Sequence, residues 1–206
     1  EISACLVGSE MCIETDRLVE ASANSGTGVV VAKTSGAVSI EPSSTSFSSA
    51  QTFDSTWAFT GITGLTIGKT GNTAGVTVSG TNSVAGNLNV IGGAIAINGN
   101  QTTTSGGNIT ITPSGTYAGT GAITSAGTLT ISGGSTVGPQ AAIQTVGNAT
   151  FSGSGNFTNS GANITSSSGN VQVTTTGSAT TVVTGNVQAT TGSIAFSSAG
   201  AYSGAG

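Results

Sequence analysis

A repeat of about twenty residues runs through the sequence and constrains its fold more than any other feature. Each copy begins with glycine and a small polar residue and continues as apolar-x-apolar. The copies are GNLNV (86–90), GNITI (107–111), GTLTI (127–131), GNATF (147–151), GNVQV (169–173) and GSIAF (192–196). Their leading glycines are 20 to 23 residues apart. Self-similarity at a fixed period of this size indicates a repeat architecture.

The apolar residues within each copy alternate, which is the period of a β-strand. Ile109 and Ile111 should therefore point to one side, and Thr110 and Thr112 to the other. A second apolar segment follows within each repeat, and no helical stripe is visible beyond Asp16. We therefore predict an all-β parallel β-helix (β-solenoid), with coils of about 20–23 residues and two or three short strands per coil.

The repeat is less regular towards the amino terminus. We divide the solenoid, residues 17–206, into irregular coils over 17–63 and regular coils over 64–206, with a looped segment near 41–52. Glycine is expected at the corners, where φ is positive or a Cβ has no room. The residues after the leading glycines should stack, with side-chain amides hydrogen-bonded along the column. This predicted ladder comprises Asn87, Asn108, Thr128, Asn148, Asn170 and Ser193.

Charge is nearly absent from the chain. Charged residues make up 5% of it, there is no histidine, and no charged residue follows Lys69. Three Lys and Arg residues are too few to neutralise a phosphate backbone, so no nucleic-acid partner is expected. No apolar run reaches the roughly 18 residues of a membrane span. In-register stacking would bring like charges to about 5 Å, so an uncharged composition suits a solenoid.

Titratable groups are too few for acid–base catalysis. After Asp16 the charged side chains are Arg17, Glu20, Lys33, Glu41, Asp54 and Lys69. We interpret Asp54 as a turn or cap residue. A Ser–His triad is excluded without histidine, and calcium-binding solenoid turns need aspartates where this chain has Gly, Ser and Asn. We predict that the chain is not an enzyme and has no catalytic, cofactor-binding or metal-binding residues.

The sequence contains two patterns of polar residues that can indicate a function. Glycosylation-type Asn-x-Ser/Thr sequons begin at Asn100, Asn108, Asn148, Asn156 and Asn163, and abundant Asn and Thr account for them.

Thr-rich strands also suggest an ice-binding solenoid. The position that should then be Thr in every coil instead varies: it is Asn89, Thr110, Thr130, Thr150, Gln172 and Ala195. Ice binding remains an alternative function, as does a fragment of a β-helix carbohydrate-active enzyme that lacks its catalytic residues.

From about Thr52 the chain resembles the repeat region of large bacterial surface proteins of the filamentous-haemagglutinin type. The segments that carry the resemblance are WAFTGITGLTIGKTGNTAGVTVSG (57–80), VAGNLNVIGGAIAINGNQTTTSGGNITI (84–111) and the later GTLTISGG, GNVQV and GSIAF. It implies a right-handed β-helix exported through an outer-membrane transporter or an autotransporter barrel to the exterior of a Gram-negative cell. The implied role is a structural rod segment of a secreted adhesin, supporting adhesion or biofilm formation, with host or bacterial glycans or surface proteins as partners.

The opening sixteen residues differ from everything after them. Residues 6–13, LVGSEMCI, resemble one translated reading frame of the adapter used in transposase-based sequencing libraries. We therefore interpret residues 1–16 as a non-biological, adapter-derived segment. The alternative is an amphipathic capping helix in which Cys5 and Cys12 form a disulfide or a metal-binding pair.

Overall fold

The structure is a computed structural model that describes residues 5–7, 10–12, 16–20, 31–33 and 36–204. Over these residues the chain contains strands and turns and no helix. Its parallel strands stack as a β-solenoid of about seven turns, which confirms the predicted fold class. The handedness of the coil stays a prediction.

Three parallel ladders form the three sides of the solenoid, and the chain visits them in the order face 1, face 2, face 3. Face 1 consists of β5 (Ala37–Pro42), the second halves of β7 (Trp57–Ile67) and β9 (Asn82–Gly92), β12 (Ile109–Pro113), β15 (Leu129–Ser132), β18 (Ala149–Gly153), β21 (Val171–Thr175) and β24 (Ile194–Ser198). Face 2 consists of β6 (Gln51–Phe53), β8 (Val76–Val78), β10 (Ile95–Ile97), β13 (Thr116–Gly119), β16 (Thr136–Pro139), β19 (Asn156–Thr158), β22 (Thr181–Val183) and β25 (Tyr202–Gly204). Face 3 consists of the first halves of β7 and β9, β11 (Gln101–Thr103), β14 (Ile123–Ser125), β17 (Ile143–Thr145), β20 (Ile164–Ser166) and β23 (Val187–Ala189).

The strand register follows the sequence repeat. On face 1 the successive Cα partners are Leu88, Ile109, Leu129, Ala149, Val171 and Ile194. Each lies two residues after a leading glycine, so the coils are in step with those glycines at the predicted spacing of 20 to 23 residues. The repeat is therefore one rung of the stack.

The amino-terminal coils are longer and less regular. Ala37 pairs with Gly64, 27 residues later, and the pairing of β7 with β9 shifts register between Thr60 and Gly64. Residues 43–50 form no strand and lie within the predicted loop near 41–52. The loop is fixed by the Asn72 side chain, whose Oδ1 accepts hydrogen bonds from the Phe47 N–H at 3.2 Å and the Ala74 N–H at 3.2 Å.

Four short strands precede these coils. They are β1 (Cys5–Val7), β2 (Glu10–Cys12), β3 (Asp16–Glu20) and β4 (Val31–Lys33). The first two pair antiparallel with Cys5 opposite Cys12, whereas β3 pairs parallel with β5 and β4 pairs parallel with β7. The capping helix considered for the opening residues is not present over 5–7 and 10–12. The boundary of the adapter-derived segment near residue 16 stays a prediction.

A single apolar core fills the interior. From β5 to β21, alternate side chains of the strands point inward and are buried, as Ile109 and Ile111 are, while Thr110 and Thr112 remain partly exposed. Aromatic pairs pack across the angles between the faces: Phe151 and Phe157 join face 1 to face 2, and Phe53 and Trp57 join face 2 to face 3. The rings of Phe151 and Phe157 lie 5.3 Å apart, and those of Phe53 and Trp57 lie 5.2 Å apart edge to face.

Tyr117 makes the stability of this core sensitive to alkaline pH. Burial raises the pKa of its hydroxyl well above the ordinary value of 10.0, because the phenolate would lose its hydration. The folded state thus binds the proton more tightly than the unfolded state. The corresponding stabilisation is complete below pH 10 and is lost as the pH rises towards the folded-state pKa.

We expect the free energy of unfolding to fall above pH 10 by about 1.4 kcal/mol per pH unit, because the folded state then binds one proton more than the unfolded state. Tyr117→Phe should remove this slope, and urea titrations of both proteins between pH 8 and 11 would measure it. Tyr202→Phe is the matched control, since Tyr202 is exposed. Equal slopes for the original protein and Tyr117→Phe would contradict the assignment.

Candidate functional surface

The outward side of face 1 carries two parallel columns of uncharged and mostly polar side chains, which we call the hydroxyl face. Cα partners in the first column are Ser39, Thr66, Asn89, Thr110, Thr130, Thr150, Gln172 and Ala195. The second column consists of Ile91, Thr112, Ser132, Ser152, Thr174 and Ser197. The six positions compared for ice binding thus lie in one column. A flat array of hydroxyls and amides can exchange hydrogen bonds with a polar ligand without charge attraction.

The predicted Asn ladder exists but is bonded differently from the expectation. Each Asn side-chain oxygen accepts a hydrogen bond from a backbone N–H of the next coil. Asn87 Oδ1 accepts from Asn108 N at 2.9 Å, and Asn108 Oδ1 accepts from Thr128 N at 2.8 Å. Asn148 Oδ1 and Asn170 Oδ1 bind the backbone N–H groups of Asn170 and Ser193, both at 2.8 Å. The side-chain amides are thus hydrogen-bonded along the column as predicted, but their donors are backbone N–H groups and, at Thr128 and Ser193, also the side-chain hydroxyl.

These bonds have a simple cause at the corners. The backbone turns there between two faces and cannot continue the parallel ladder, so a corner N–H needs another acceptor. A short side chain with a carbonyl oxygen reaches the coil above, as Asn does at N-caps and turns. The Asn residues therefore join adjacent coils at the points where the strands do not.

The same geometry explains the five sequons. Besides Asn108 and Asn148, the sequon residues Asn100, Asn156 and Asn163 accept from the backbone N–H groups of Ala122, Thr180 and Asn186. In each sequon a corner Asn is followed by a buried residue and then by an outward Thr. Strand alternation after a corner thus produces Asn-x-Thr, a more specific reason than amino-acid abundance.

Asn108 allows the acceptor role to be tested. Asn108→Asp keeps a side-chain oxygen facing the Thr128 N–H and should leave the midpoint of urea unfolding nearly unchanged. Asn108→Ala removes the acceptor and should cost about 1 kcal/mol, the typical net value of one hydrogen bond. Equal losses in both variants would mean that the amide nitrogen matters instead. Thr110→Ala is the control, because Thr110 lies two residues after Asn108 and its side chain points outward.

Inward hydroxyls form a further column, which the sequence analysis missed. It contains Thr103, Ser125, Thr145 and Ser166, all buried on face 3. Thr103 Oγ1 donates to Gly107 O at 2.6 Å, and Ser166 Oγ donates to Gly147 O at 2.9 Å. Gly107 O also accepts from the Gly127 N–H at 2.9 Å, so these hydroxyls add hydrogen bonds at the carbonyls of the leading glycines. A Ser or Thr two to four residues before each of these glycines was the available signal.

The leading glycines are required for space and not for backbone conformation. A Cβ on Gly86 would collide with the backbone of Thr63, and one on Gly107 would collide with the backbone of Gly86. None of the six leading glycines has a positive φ. The expectation of positive φ holds at other turns, such as Gly106, with φ of 77°. At Gly86 and Gly107, successive coils therefore approach too closely for any side chain.

The described charged groups do not gather into a site. Asp54 lies in a turn, where its Oδ1 accepts hydrogen bonds from the Thr56 hydroxyl at 2.6 Å and the Thr56 N–H at 2.9 Å. These bonds lower the pKa of the Asp54 carboxyl below its ordinary value, and they confirm its interpretation as a turn residue. Over the described ranges no three His, Cys, Asp or Glu residues lie close enough to hold a metal ion. That the chain has no catalytic, metal or cofactor site stays a prediction.

No helix long and apolar enough to cross a membrane occurs among the residues described here. Comparison of the chain with protein families, with curated proteins and with solved structures found no match. The filamentous-haemagglutinin resemblance thus depends on the repeat and its compatibility with a β-helix.

Proposed function

We propose that this chain is a non-enzymatic rod segment of a secreted bacterial surface protein of the filamentous-haemagglutinin type, and that it supports adhesion or biofilm formation. The observation that carries the proposal is the continuous three-sided ladder of about seven turns, in step with the leading glycines. The length of such a stack grows with each coil. A rod of this kind projects a binding region away from a cell surface.

Host or bacterial glycans, or surface proteins, are the partners that we propose for its sides. On the hydroxyl face, Thr110, Thr130 and Thr150 form three consecutive rungs of partly exposed hydroxyls. Sugar hydroxyls donate and accept hydrogen bonds as these side chains do. An outer-membrane transporter is the proposed partner during export, and the cell exterior is the proposed location.

Adhesion measured on a matched pair of surfaces tests this function. Beads coated with the chain should adhere to bacterial or host cells more than bare beads do. Replacing Thr110, Thr130 and Thr150 by Ala should reduce the adhesion. Replacing Thr102, Thr124 and Thr165 by Ala on face 3 should not, although it removes the same number of hydroxyls. Adhesion equal to that of bare beads, or equal loss in both variants, would contradict the proposal.

Ice binding is a second candidate, favoured by one observation. In three adjacent coils the two columns of the hydroxyl face present paired hydroxyls: Thr110 with Thr112, Thr130 with Ser132, and Thr150 with Ser152. The array is interrupted by Asn89 on one side and Gln172 on the other. A thermal-hysteresis measurement separates the candidates, because an adhesin rod should produce none.

A further inference from the structure

Three adjacent rungs of the hydroxyl face form a regular polar surface. Strands β12, β15 and β18 pair there without a register shift, so their outward residues lie in straight columns. The corner column of Asn and Thr adds a third column to the two already described. We call these nine positions the polar grid: Asn108, Thr110 and Thr112 on the first rung, Thr128, Thr130 and Ser132 on the second, and Asn148, Thr150 and Ser152 on the third.

Most polar groups of the grid have no partner among the described residues. In the two columns of the hydroxyl face every grid hydroxyl is partly exposed and makes no hydrogen bond to the described part of the chain. At the corner, the side-chain oxygens of Asn108 and Asn148 join the coils, but their amide nitrogens donate to no described residue. A hydroxyl donates one hydrogen bond and accepts two, and an amide nitrogen donates two. A ligand rich in hydroxyls can therefore form several hydrogen bonds with the grid at once.

The other two faces offer no comparable surface at these rungs. On face 3 the outward Thr124 and Gln144 stand alone, because the residues two positions before and after each are Ala or Val. On face 2 three adjacent rungs present outward residues without a polar side-chain group, namely Ala96, Ala118 and Gly138. A ligand that binds through its hydroxyls is therefore directed to face 1.

The charge and the spacing of the grid restrict the class of ligand. The chain has no charged residue after Lys69, so the grid cannot favour an acidic or a basic ligand through an opposite charge. Successive rungs of a parallel ladder are about 4.8 Å apart. The sugars of an extended β-1,4-linked glucan repeat at nearly this distance, because the equatorial linkage makes the chain a flat ribbon. An α-1,4-linked glucan has the same composition but coils, so it cannot follow a straight column.

We propose that the polar grid binds an extended, neutral β-1,4-linked glucan that lies parallel to the solenoid axis, with one sugar on each rung. Thr110, Thr130 and Thr150 hydrogen-bond the hydroxyls of three successive sugars. The columns on either side are about 6.6 Å away, two residues along a strand, and they bind the two edges of the ribbon. This inference rests on the proposed function, because it names the glycan that the rod binds.

Titration of the 206-residue chain with oligosaccharides, followed by nuclear magnetic resonance, tests the ligand. Cellohexaose should bind about tenfold more tightly than maltohexaose, which differs only in the configuration of its linkages; this ratio corresponds to one or two net hydrogen bonds. Cellohexaose should also bind more tightly than cellobiose, which reaches two rungs. Equal affinity for the two hexasaccharides would overturn the proposal, and so would an affinity that does not increase with length.

A pair of matched variants tests the site. Thr130→Val removes the central hydroxyl of the grid and keeps the branched side chain, and it should weaken cellohexaose binding about fivefold, the effect of one net hydrogen bond. Thr124→Val is the control, because Thr124 is also an outward threonine but lies on face 3. It should bind cellohexaose as the unchanged chain does. Circular dichroism should show the same β-structure in all three proteins. An equal effect of the two substitutions would contradict the placement on the grid.

The bead experiment described above separates this inference from the proposed function. If coated beads adhere to cells but the chain does not bind cellohexaose, the glucan is wrong and the adhesive rod stands. If the chain binds cellohexaose but coated beads adhere no better than bare beads, the polar grid stands and the proposed adhesion is wrong.

Discussion

Gly107→Ala should destabilise the solenoid by about 3 kcal/mol or more, although it adds a single methyl group. The new Cβ would collide with the backbone of Gly86 in the coil below. Two backbones linked by a parallel ladder cannot separate locally without breaking its hydrogen bonds. The glycine at this position has no positive φ, so the whole effect comes from lack of space.

Gly106→Ala is the matched control for this prediction. A Cβ on Gly106 would meet no atom within 4 Å, but its φ of 77° is unfavourable for alanine. The expected cost is about 1 kcal/mol, that of one left-handed residue. Urea unfolding followed by circular dichroism would compare the two variants. A larger loss for Gly106→Ala would show that conformation, and not coil spacing, selects glycine here.

Phe151→Ala should cost about 3 to 5 kcal/mol, which is typical of removing a buried aromatic side chain. The ring is fully buried, packs against Phe157 and lies between Ile131 and Val173 in the stack. The neighbouring rungs are held in register by hydrogen bonds, so they cannot move into the cavity that the missing ring would leave. Thr150→Ala, the adjacent outward residue, should change the free energy of unfolding by less than about 0.5 kcal/mol.

Hydrogen exchange would locate the damage caused by Phe151→Ala. Each coil contacts only its neighbours, so protection should be lost first in β15, β18 and β21. Strands near Val76 and Ile95 should keep their protection longer. Uniform loss along the chain would show that the solenoid unfolds as one cooperative unit and not rung by rung.

The sequence was sufficient to predict the ladder but not its full cross-section. Face 1 carries two inward apolar residues per strand, such as Leu129 and Ile131, directly after the leading glycine. That local signal is strong because the glycine, the corner and the strand are adjacent in sequence. The spacing of the glycines then set the register.

Face 2 was harder to recognise because its strands present little apolar surface. In β13, β16 and β19 a single large side chain points inward, namely Tyr117, Val137 or Phe157, and the outward residues are small. Alternation cannot be detected from one residue. The second apolar segment of the repeat belongs to face 2 in one coil, where Ile95–Ile97 form β10, and to face 3 in another, where Ile123–Ser125 form β14.

The bonding of polar groups could be predicted only in part. A recurring Asn after glycine indicated a column, but an amide offers both a donor and an acceptor, and the sequence does not show which one the next coil uses. The structure shows that backbone N–H groups at the corners donate to the amide oxygen. The buried hydroxyls of Thr103 and Ser166 were missed for a related reason: their partners are carbonyls of another coil or of a later corner.

Variation in coil length is confined to the corners, which makes the solenoid a natural carrier for added peptide. Two residues connect β18 to β19, whereas five connect β21 to β22, and the strands on both sides of each connection stay in register. In the longer connection Gly177 has a positive φ and no atom within 3.5 Å of an added Cβ. A guest epitope inserted at this corner would be displayed at a fixed height on the stack without shifting the rungs above or below it.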